Sequence, residues 1–116
     1  MITIYGIKNC ETCRKALKWM KMEGIKHRFH DFRVDGLEVT DVTRWISAVG
    51  RDVILNRRST TWRKLPEMYK SGIDDKKAIV LMLANPTLVK RPVFELGGNI
   101  VVGFKDSERQ QVRDGG

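Results

Sequence analysis

The chain has 116 residues, 41% of them hydrophobic and 31% charged, which suits one globular domain and excludes a disordered chain. Its longest apolar run, residues 78–84, is too short to span a membrane, the first residues lack a secretory signal pattern, and two cysteines are too few for a disulfide scaffold. These features predict a cytoplasmic protein without a membrane partner, and the net charge of +8 predicts an affinity for anions.

The first predicted elements are a strand, a helix and a second strand. Residues 2–5 are apolar and β-branched, which predicts a strand that ends at Gly6. A helix capped by Asn9 and ended by Gly24 follows, because apolar side chains recur there at helical spacing. These side chains are Cys13, Ala16, Leu17 and Met20. Residues 26–32 are predicted to form a strand parallel to the first, which completes a βαβ crossover.

A predicted helical segment follows the turn at Gly36. Its first helix closes at Gly50 and carries an apolar stripe. The stripe consists of Val39, Val42, Ile46 and Val49. Short helices are predicted to continue through Tyr69, because Pro66 and the polar residues before it interrupt the periodicity.

The last predicted elements are a helix, a hairpin and a second helix. The aspartates at 74–75 are candidate caps for a helix through residues 78–84, which the following proline stops. The Gly97-Gly98 pair separates two short apolar strands, which is a strong signal for a tight hairpin. Asp106 or Ser107 is the predicted cap of the final helix.

The order of these elements predicts an α/β protein with a thioredoxin-like fold. Two parallel strands come first and a hairpin comes last, so we expect a mixed four-stranded sheet flanked by helices, with an inserted helical subdomain. Within a single domain over residues 1–116, residues 1–34 and 74–112 are predicted to form the thioredoxin-like core. Residues 35–73 are predicted to form the helical insertion.

Cys10 and Cys13 form a Cys-x-x-Cys motif where the first strand gives way to the first helix. Amide N–H groups and the positive end of the helix dipole face the first cysteine there, which favours its thiolate. Lys8, Arg14 and Lys15 add positive charge nearby. A thiolate attacks disulfides, and a second cysteine three residues later can resolve the mixed disulfide. The motif therefore predicts a redox-active pair with Cys10 as the nucleophile.

A zinc site is the alternative interpretation of the same cysteines, because His27 and His30 follow them. Two residues separate these histidines, whereas zinc-binding histidine pairs on a helix have about three to five between them. On a strand, an odd separation directs the two side chains to opposite faces of the sheet. The sequence therefore predicts no metal site.

A basic segment covers residues 51–64, with five Lys and Arg side chains against one acid. Arginine binds oxyanions and carboxylates through two parallel hydrogen bonds, and the hydroxyl groups of residues 59–61 can add donors. A solvated surface is the alternative interpretation of such a cluster. A nucleic-acid site is a weaker one, because no standard recognition motif accompanies the segment.

Five segments resemble the ArsC-type arsenate reductase superfamily, which includes ArsC, Spx and YffB proteins, and they match its YffB-like branch most closely. These segments span nearly the whole chain in the order found in the family. They are YGIKNC at 5–10, FHDFRVDGL at 29–37, LNRRSTTWRKL at 55–65, ANPTLVKRPVFELGG at 84–98 and VGFKDS at 102–107. The resemblance implies a thioredoxin-like fold with a helical insertion and a nucleophilic cysteine at position 10.

The resemblance also implies an anion site around Cys10. It implies a cis Arg91-Pro92 bond facing that cysteine, although the residues alone predict the trans bond that most X-Pro pairs adopt. The residues implied to bind an anion or glutathione lie in three places: directly before the nucleophile, in the basic segment, and on either side of the hairpin. They are Lys8, Asn9, Asn56, Arg57, Arg58, Arg91, Pro92 and Lys105.

Two of the three arginines expected from the arsenate reductases are displaced or replaced. Asn56 stands where an arginine follows the leucine of the middle segment, so that Arg57 or Arg58 would replace it. Lys105 stands near the third arginine and keeps the charge without the planar fork of donors. Because these departures disfavour arsenate as a substrate, the resemblance implies a glutathione-dependent thiol or disulfide reductase.

The expected function is thiol oxidoreduction, with Cys10, Cys13 and Arg91 as catalytic residues. No cofactor is expected to be bound, glutathione is the expected co-substrate, a small anionic compound is the alternative ligand, and glutaredoxin is a candidate partner. A second hypothesis is an Spx-like regulator, because CETCRKA at 10–16 is similar to the Spx redox switch. Spx proteins bind the α-subunit of RNA polymerase, and their disulfide sets that activity.

Overall fold

The computed structural model describes residues 1–115, and the chain divides into two compact units. One unit comprises residues 1–36 and the chain from Arg91 onward, and the other comprises Leu37–Lys90. These limits differ from the predicted ones, which assigned residues 74–90 to the thioredoxin-like core. The difference arises because the helix Asp75–Ala84 packs against the helix Val39–Val49 within the second unit.

The first unit is built on a mixed four-stranded sheet. Its strands lie in the order β2-β1-β3-β4. They are β1 (Ile2–Gly6), β2 (His27–Asp31), β3 (Val93–Leu96) and β4 (Asn99–Val102). β1 is parallel to β2, whereas β3 is antiparallel to both β1 and β4. This topology confirms the predicted α/β class with a thioredoxin-like sheet.

The helices of the described residues are short except for α1, α3, α7 and α8. In chain order they are α1 (Glu11–Met22), α2 (Phe32–Asp35), α3 (Val39–Val49), α4 (Arg51–Ile54), α5 (Thr60–Lys64), α6 (Glu67–Lys70), α7 (Asp75–Ala84) and α8 (Asp106–Gly115), with a 3₁₀ turn at Pro86–Leu88. None of the helices within residues 1–115 combines the length and apolarity needed to cross a membrane.

The core of the first unit joins the sheet to helices α1 and α8. Its buried side chains are Ile2, Ile4, Ala16, Met20, Phe94, Val101 and Val112. The apolar stripe predicted for α1 is buried at Cys13, Ala16 and Met20 and half-buried at Leu17. Removing this apolar surface from water is the main favourable contribution to folding of the unit. The stripe therefore fixes which face of α1 meets the sheet.

Local hydrogen bonding sets the ends of two strands. The sequence predicts that β2 ends at Phe32, but the strand ends at Asp31. The Asp31 carboxylate accepts a hydrogen bond from the Arg33 N–H at 2.8 Å and caps α2, so that the helix begins at Phe32. The predicted hairpin is confirmed, since Leu96 pairs with Asn99 across a two-residue turn and Gly97 has a φ of 72°. That backbone conformation favours glycine.

The second unit consists mainly of helices. In α3 the buried side chains are Val42, Trp45 and Ile46, whereas Val39 of the predicted stripe is 54% exposed in the first turn. The cap predicted for α7 is confirmed, because Asp74 Oδ1 accepts a hydrogen bond from the Lys77 N–H at 2.8 Å. The burial pattern of α3 shows that the apolar face is shifted toward Trp45.

Candidate functional site

Cys10 lies at the start of α1, after a turn that follows β1. The Cys10 N–H donates a hydrogen bond to the Ile7 carbonyl at 3.0 Å, which closes the turn over Lys8 and Asn9. Both turn residues are exposed, whereas Cys10 is half-buried and precedes the first helical residue with an extended backbone. Its side chain is therefore near the unpaired N–H groups and the positive dipole of the helix N-terminus.

The surroundings of Cys10 favour its thiolate. Burial raises the pKa of Cys10, but the backbone N–H and thiol of Cys13 and the guanidinium of Arg91 stabilise the anion. The stabilising contacts outweigh burial, so that the pKa of Cys10 lies below its ordinary value. The Cys-x-x-Cys motif pairs Cys10 with Cys13, the family resemblance adds Arg91, and the fold brings the three residues together.

Arg91 supplies the cationic part of this cluster. The residue is half-buried, and its Nε and Nη1 atoms are buried without a hydrogen-bond partner among the described residues. The Arg91-Pro92 peptide bond is cis, as the family resemblance implied, and Pro92 is buried. The Pro92 carbonyl accepts a hydrogen bond from the Gly103 N–H at 2.9 Å. Because buried donors are rarely left unpaired, the two nitrogens of Arg91 are suited to receive an anion.

Cys13 has the opposite environment to Cys10. Its side chain is fully buried, and this burial raises the pKa of Cys13 to about 12, together with the negative charge of the neighbouring Cys10 thiolate. A hydrogen bond from the backbone of Ile7 only partly opposes the increase. Neither cysteine is in a disulfide, and the opposite pKa shifts make Cys10 the more acidic thiol of the pair.

Gly6 makes room for Cys13 at the end of β1. A Cβ atom at Gly6 would lie 2.5 Å from Cys13 Sγ and 3.6 Å from Cε1 of Phe29. The thiol is on a short, buried side chain and has little freedom to move away. The sequence predicts this glycine only as the end of a strand, because nothing in the sequence indicates which atom faces it.

We expect Gly6→Ala to lower the free energy of unfolding by about 1–3 kcal/mol, because the added methyl group overlaps Cys13 Sγ. Urea denaturation of the reduced protein measures this change. Gly98→Ala is the matched control, since a Cβ at Gly98 meets no atom within 4 Å. Equal stabilities of the two variants would contradict the close approach of Gly6 to Cys13.

Asp31 is a further buried residue and is not among the site residues predicted from the sequence. Its carboxylate accepts a hydrogen bond from the Lys8 N–H at 3.0 Å, within the turn before Cys10. It is the last residue of β2, and its Cα is paired with that of Gly6 at the end of β1. An aspartate that ends a strand before a helical turn is a capping signal, which could have drawn attention to this position.

Lys105 lies in the same unit as Cys10, before helix α8. It is exposed, and its backbone N–H donates a hydrogen bond to Glu108 Oε1 at 2.8 Å. This contact caps α8 and leaves the ammonium group on the surface. The anion-binding role implied for Lys105 stays a prediction.

Three other predicted anion-binding residues lie in the second unit. Asn56 Oδ1 accepts a hydrogen bond from the Arg58 N–H at 3.1 Å, which shapes the turn before α5. Arg57 forms an ion pair with Asp52 at 3.1 Å, and its guanidinium carbon lies 5.7 Å from the ring centroid of Trp62. Asn56 therefore has a structural role in this loop, and substrate binding by the three residues stays a prediction.

The two histidines considered for zinc make other contacts. His27 Nδ1 is 2.8 Å from the Ile25 carbonyl oxygen, and His30 Nε2 is 2.7 Å from the Gly36 carbonyl oxygen. The His30 ring also packs against Tyr5, with the ring centroids 4.8 Å apart. Within the described part of the chain, no three histidine, cysteine or acidic side chains are grouped so that they could hold a metal ion.

Comparisons with known proteins relate the chain to one family. The model of the ArsC family matches residues 5–112. The solved structure of a YffB protein is similar at 42% identity with a TM-score of 0.91, covering 96% of this chain and 97% of that one. The solution structure of an arsenate reductase (ArsC) related protein from Brucella melitensis is 45% identical, with a TM-score of 0.78, and covers 95% of this chain and 92% of that one.

A regulator is also among the relatives. The global transcriptional regulator Spx of Listeria innocua is 26% identical over 110 residues, which are 93% of this chain and 83% of the regulator. An arsenate reductase (ArsC) related protein and a transcriptional regulator are therefore both similar to this chain along nearly its whole length.

Proposed function

Because the chain belongs to the ArsC family, we propose that it is a thiol-dependent oxidoreductase whose nucleophile is Cys10. Arg91 would bind the anionic group of the substrate and stabilise the thiolate. The observation that carries this proposal is the position of Cys10 beside Arg91, whose two buried donors have no partner among the described residues. A stabilised thiolate next to a group suited to receive an anion is the arrangement that thiol–disulfide exchange with an anionic substrate requires.

A mixed disulfide of glutathione is the substrate that we propose. The Cys10 thiolate attacks one sulfur of the substrate disulfide, which forms a Cys10–sulfur bond and expels the other sulfur as a thiolate. A second thiol then attacks this bond, releases Cys10 as a thiolate and leaves as a disulfide. That thiol is glutathione, which leaves as glutathione disulfide. In a slower internal route Cys13 instead attacks the Cys10 sulfur and expels the bound group as a thiolate, and two glutathione molecules then reduce the resulting Cys10–Cys13 disulfide and leave as glutathione disulfide. Glutathione is thus the reductant, and no bound cofactor takes part.

Arsenate is the less favoured substrate for this site. Arsenate reductases have arginines at the positions that match Asn56 and Lys105 of this chain. Two guanidinium groups, each able to donate two parallel hydrogen bonds to an oxyanion, are therefore missing at the matching positions. A glutathionyl substrate has carboxylates that a single guanidinium can bind. The proposed activity is therefore reduction of a disulfide rather than of arsenate.

The experiment that tests the proposal is a coupled assay of NADPH consumption. The reduced protein is supplied with glutathione and glutathione reductase, with and without glutaredoxin, and arsenate and a glutathione mixed disulfide are offered separately. We expect NADPH consumption above background with the mixed disulfide. Consumption with arsenate alone would assign the other substrate, and no consumption with either would overturn the proposal.

An Spx-like regulator is the second candidate function. The Cys-x-x-Cys motif at 10–13 and the similarity to a global transcriptional regulator Spx support it. Such a function requires that the protein bind the α-subunit of RNA polymerase in one redox state only. A pull-down with the purified α-subunit under oxidising and reducing conditions tests this requirement. Equal binding in the two states, or no binding in either, would exclude this function.

A further inference from the structure

We propose that Asp31 is a positioning residue for Cys10, because its carboxylate fixes the turn that leads into helix α1. This inference rests on the proposed function only in assuming that Cys10 is the reactive thiol. Nothing in the reaction described above involves Asp31, which would contact neither the substrate nor Cys10. Its action would be exerted through the backbone of Lys8.

The burial and hydrogen bonds of Asp31 carry the proposal. Asp31 is a buried charged residue with 7% of its surface exposed. One carboxylate oxygen, Oδ2, accepts from the Lys8 N–H at 3.0 Å, and the other, Oδ1, accepts from the Arg33 N–H at 2.8 Å. The Asp31 N–H in turn donates to Asp35 Oδ2 at 3.0 Å. A buried carboxylate is costly to desolvate, and this one is stabilised by hydrogen bonds to two separate backbone segments.

These contacts connect the end of β2 to the turn before the nucleophile. Because the Cα atoms of Gly6 and Asp31 are paired at the ends of β1 and β2, the side chain of Asp31 reaches the second residue beyond β1. The turn is closed at its far end by the hydrogen bond from the Cys10 N–H to the Ile7 carbonyl. The turn is therefore held by its own closing hydrogen bond and by Asp31, which ties it to the neighbouring strand β2.

A carboxylate suits this position better than a carboxamide. Both acceptors are engaged by backbone N–H groups, so an asparagine could satisfy one of them and would direct its NH₂ group at the other. If the asparagine oxygen keeps the cap of α2, the Lys8 N–H loses its acceptor. The turn can then move, and this movement changes the distances from Cys10 to Arg91 and to the N–H groups of α1.

The test is the pH dependence of alkylation of Cys10 in Asp31→Asn and in the unaltered protein. The reduced chains react with iodoacetamide between pH 5 and pH 10, and mass spectrometry of peptides measures modification at Cys10. We expect the midpoint of the profile to move to higher pH in Asp31→Asn, with a rate about threefold to tenfold lower at pH 6. A helix cap without a positioning role would change the melting temperature and leave the midpoint unchanged.

Two further variants complete the experiment. Asp31→Ser keeps a short acceptor for the cap of α2 but cannot reach Lys8, so it gives the same shift if Asp31→Asn does not fold. Asp74→Asn is the matched control, because Asp74 caps α7 through a single hydrogen bond to the Lys77 N–H. A midpoint in either folded Asp31 variant equal to that of the unaltered protein would overturn the inference. A midpoint in the unaltered protein at the value of free cysteine would instead contradict the proposed function.

Discussion

Replacing Cys10 with serine is expected to abolish reduction of a glutathione mixed disulfide, whereas replacing Cys13 with serine leaves substantial activity. The hydroxyl group of serine is not a nucleophile toward disulfides, so the loss at Cys10 amounts to about three orders of magnitude or more. Cys13→Ser is expected to stay within about tenfold of the unaltered protein when glutathione is present, because an external thiol can resolve the mixed disulfide. The coupled NADPH assay measures both.

The asymmetry follows from the environments of the two thiols. Cys10 is half-buried beside Arg91, with a pKa below its ordinary value, whereas Cys13 is fully buried and its pKa is raised to about 12. Cys13 is buried on the face of α1 that packs against the core, so its replacement can disturb the fold. Circular dichroism of both variants controls for such a loss of structure. An active Cys10→Ser variant together with an inactive Cys13→Ser variant would reverse the assignment.

Replacing Arg91 with glutamine is expected to lower the rate at pH 7 by about tenfold to a hundredfold. One charge-assisted hydrogen bond contributes about 1.5–3 kcal/mol, and Arg91 offers such contacts both to the thiolate and to the substrate. Because Arg91 lowers the pKa of Cys10, its removal raises that pKa. The midpoint of the pH–rate profile therefore moves to higher pH, and activity recovers in part as the pH increases. Steady-state rates from pH 5 to pH 10 measure the shift.

Arg109→Gln is the matched control for this variant. Arg109 is also half-buried, and its Nε is buried without a hydrogen-bond partner among the described residues. Its guanidinium carbon, however, lies 4.6 Å from the ring centroid of Phe104, and its Nη1 forms an ion pair with Asp106 Oδ1 at 3.1 Å. We expect a modest change in stability and an unchanged midpoint for Arg109→Gln. An identical midpoint in Arg91→Gln would show that Arg91 does not act on Cys10.

Much of the site could be predicted because its signals are local in sequence. The Cys-x-x-Cys spacing at the end of an apolar strand indicates a thiol at a helix N-terminus, and Gly97-Gly98 indicates the hairpin that follows Pro92. The cis Arg91-Pro92 bond could not be derived from those two residues, since most such bonds are trans. Only the resemblance to the ArsC family predicts the cis bond.

The rest of the site depends on contacts between distant residues. Asp31 and Lys8 are 23 positions apart, and their hydrogen bond exists because β1 and β2 are parallel and end at the same level. The need for glycine at position 6 arises from Cys13 Sγ, which approaches from a different element. Neither contact has a sequence pattern of its own. Burial in the second unit also depends on contacts with distant residues. The side chain of Trp45 is therefore in the core, whereas that of Val39, which belongs to the predicted stripe, is exposed.

The most direct test of the central claim is to trap the enzyme–substrate bond. The reduced Cys13→Ser variant is mixed with glutathione disulfide at pH 7 without added reductant, quenched in acid and digested for mass spectrometry. We predict one glutathionyl group on the peptide that contains Cys10, formed faster than on a short unstructured peptide with the same sequence around the cysteine. A protein that stays unmodified, or that reacts no faster than this peptide, would contradict the account of Cys10 as an activated nucleophile.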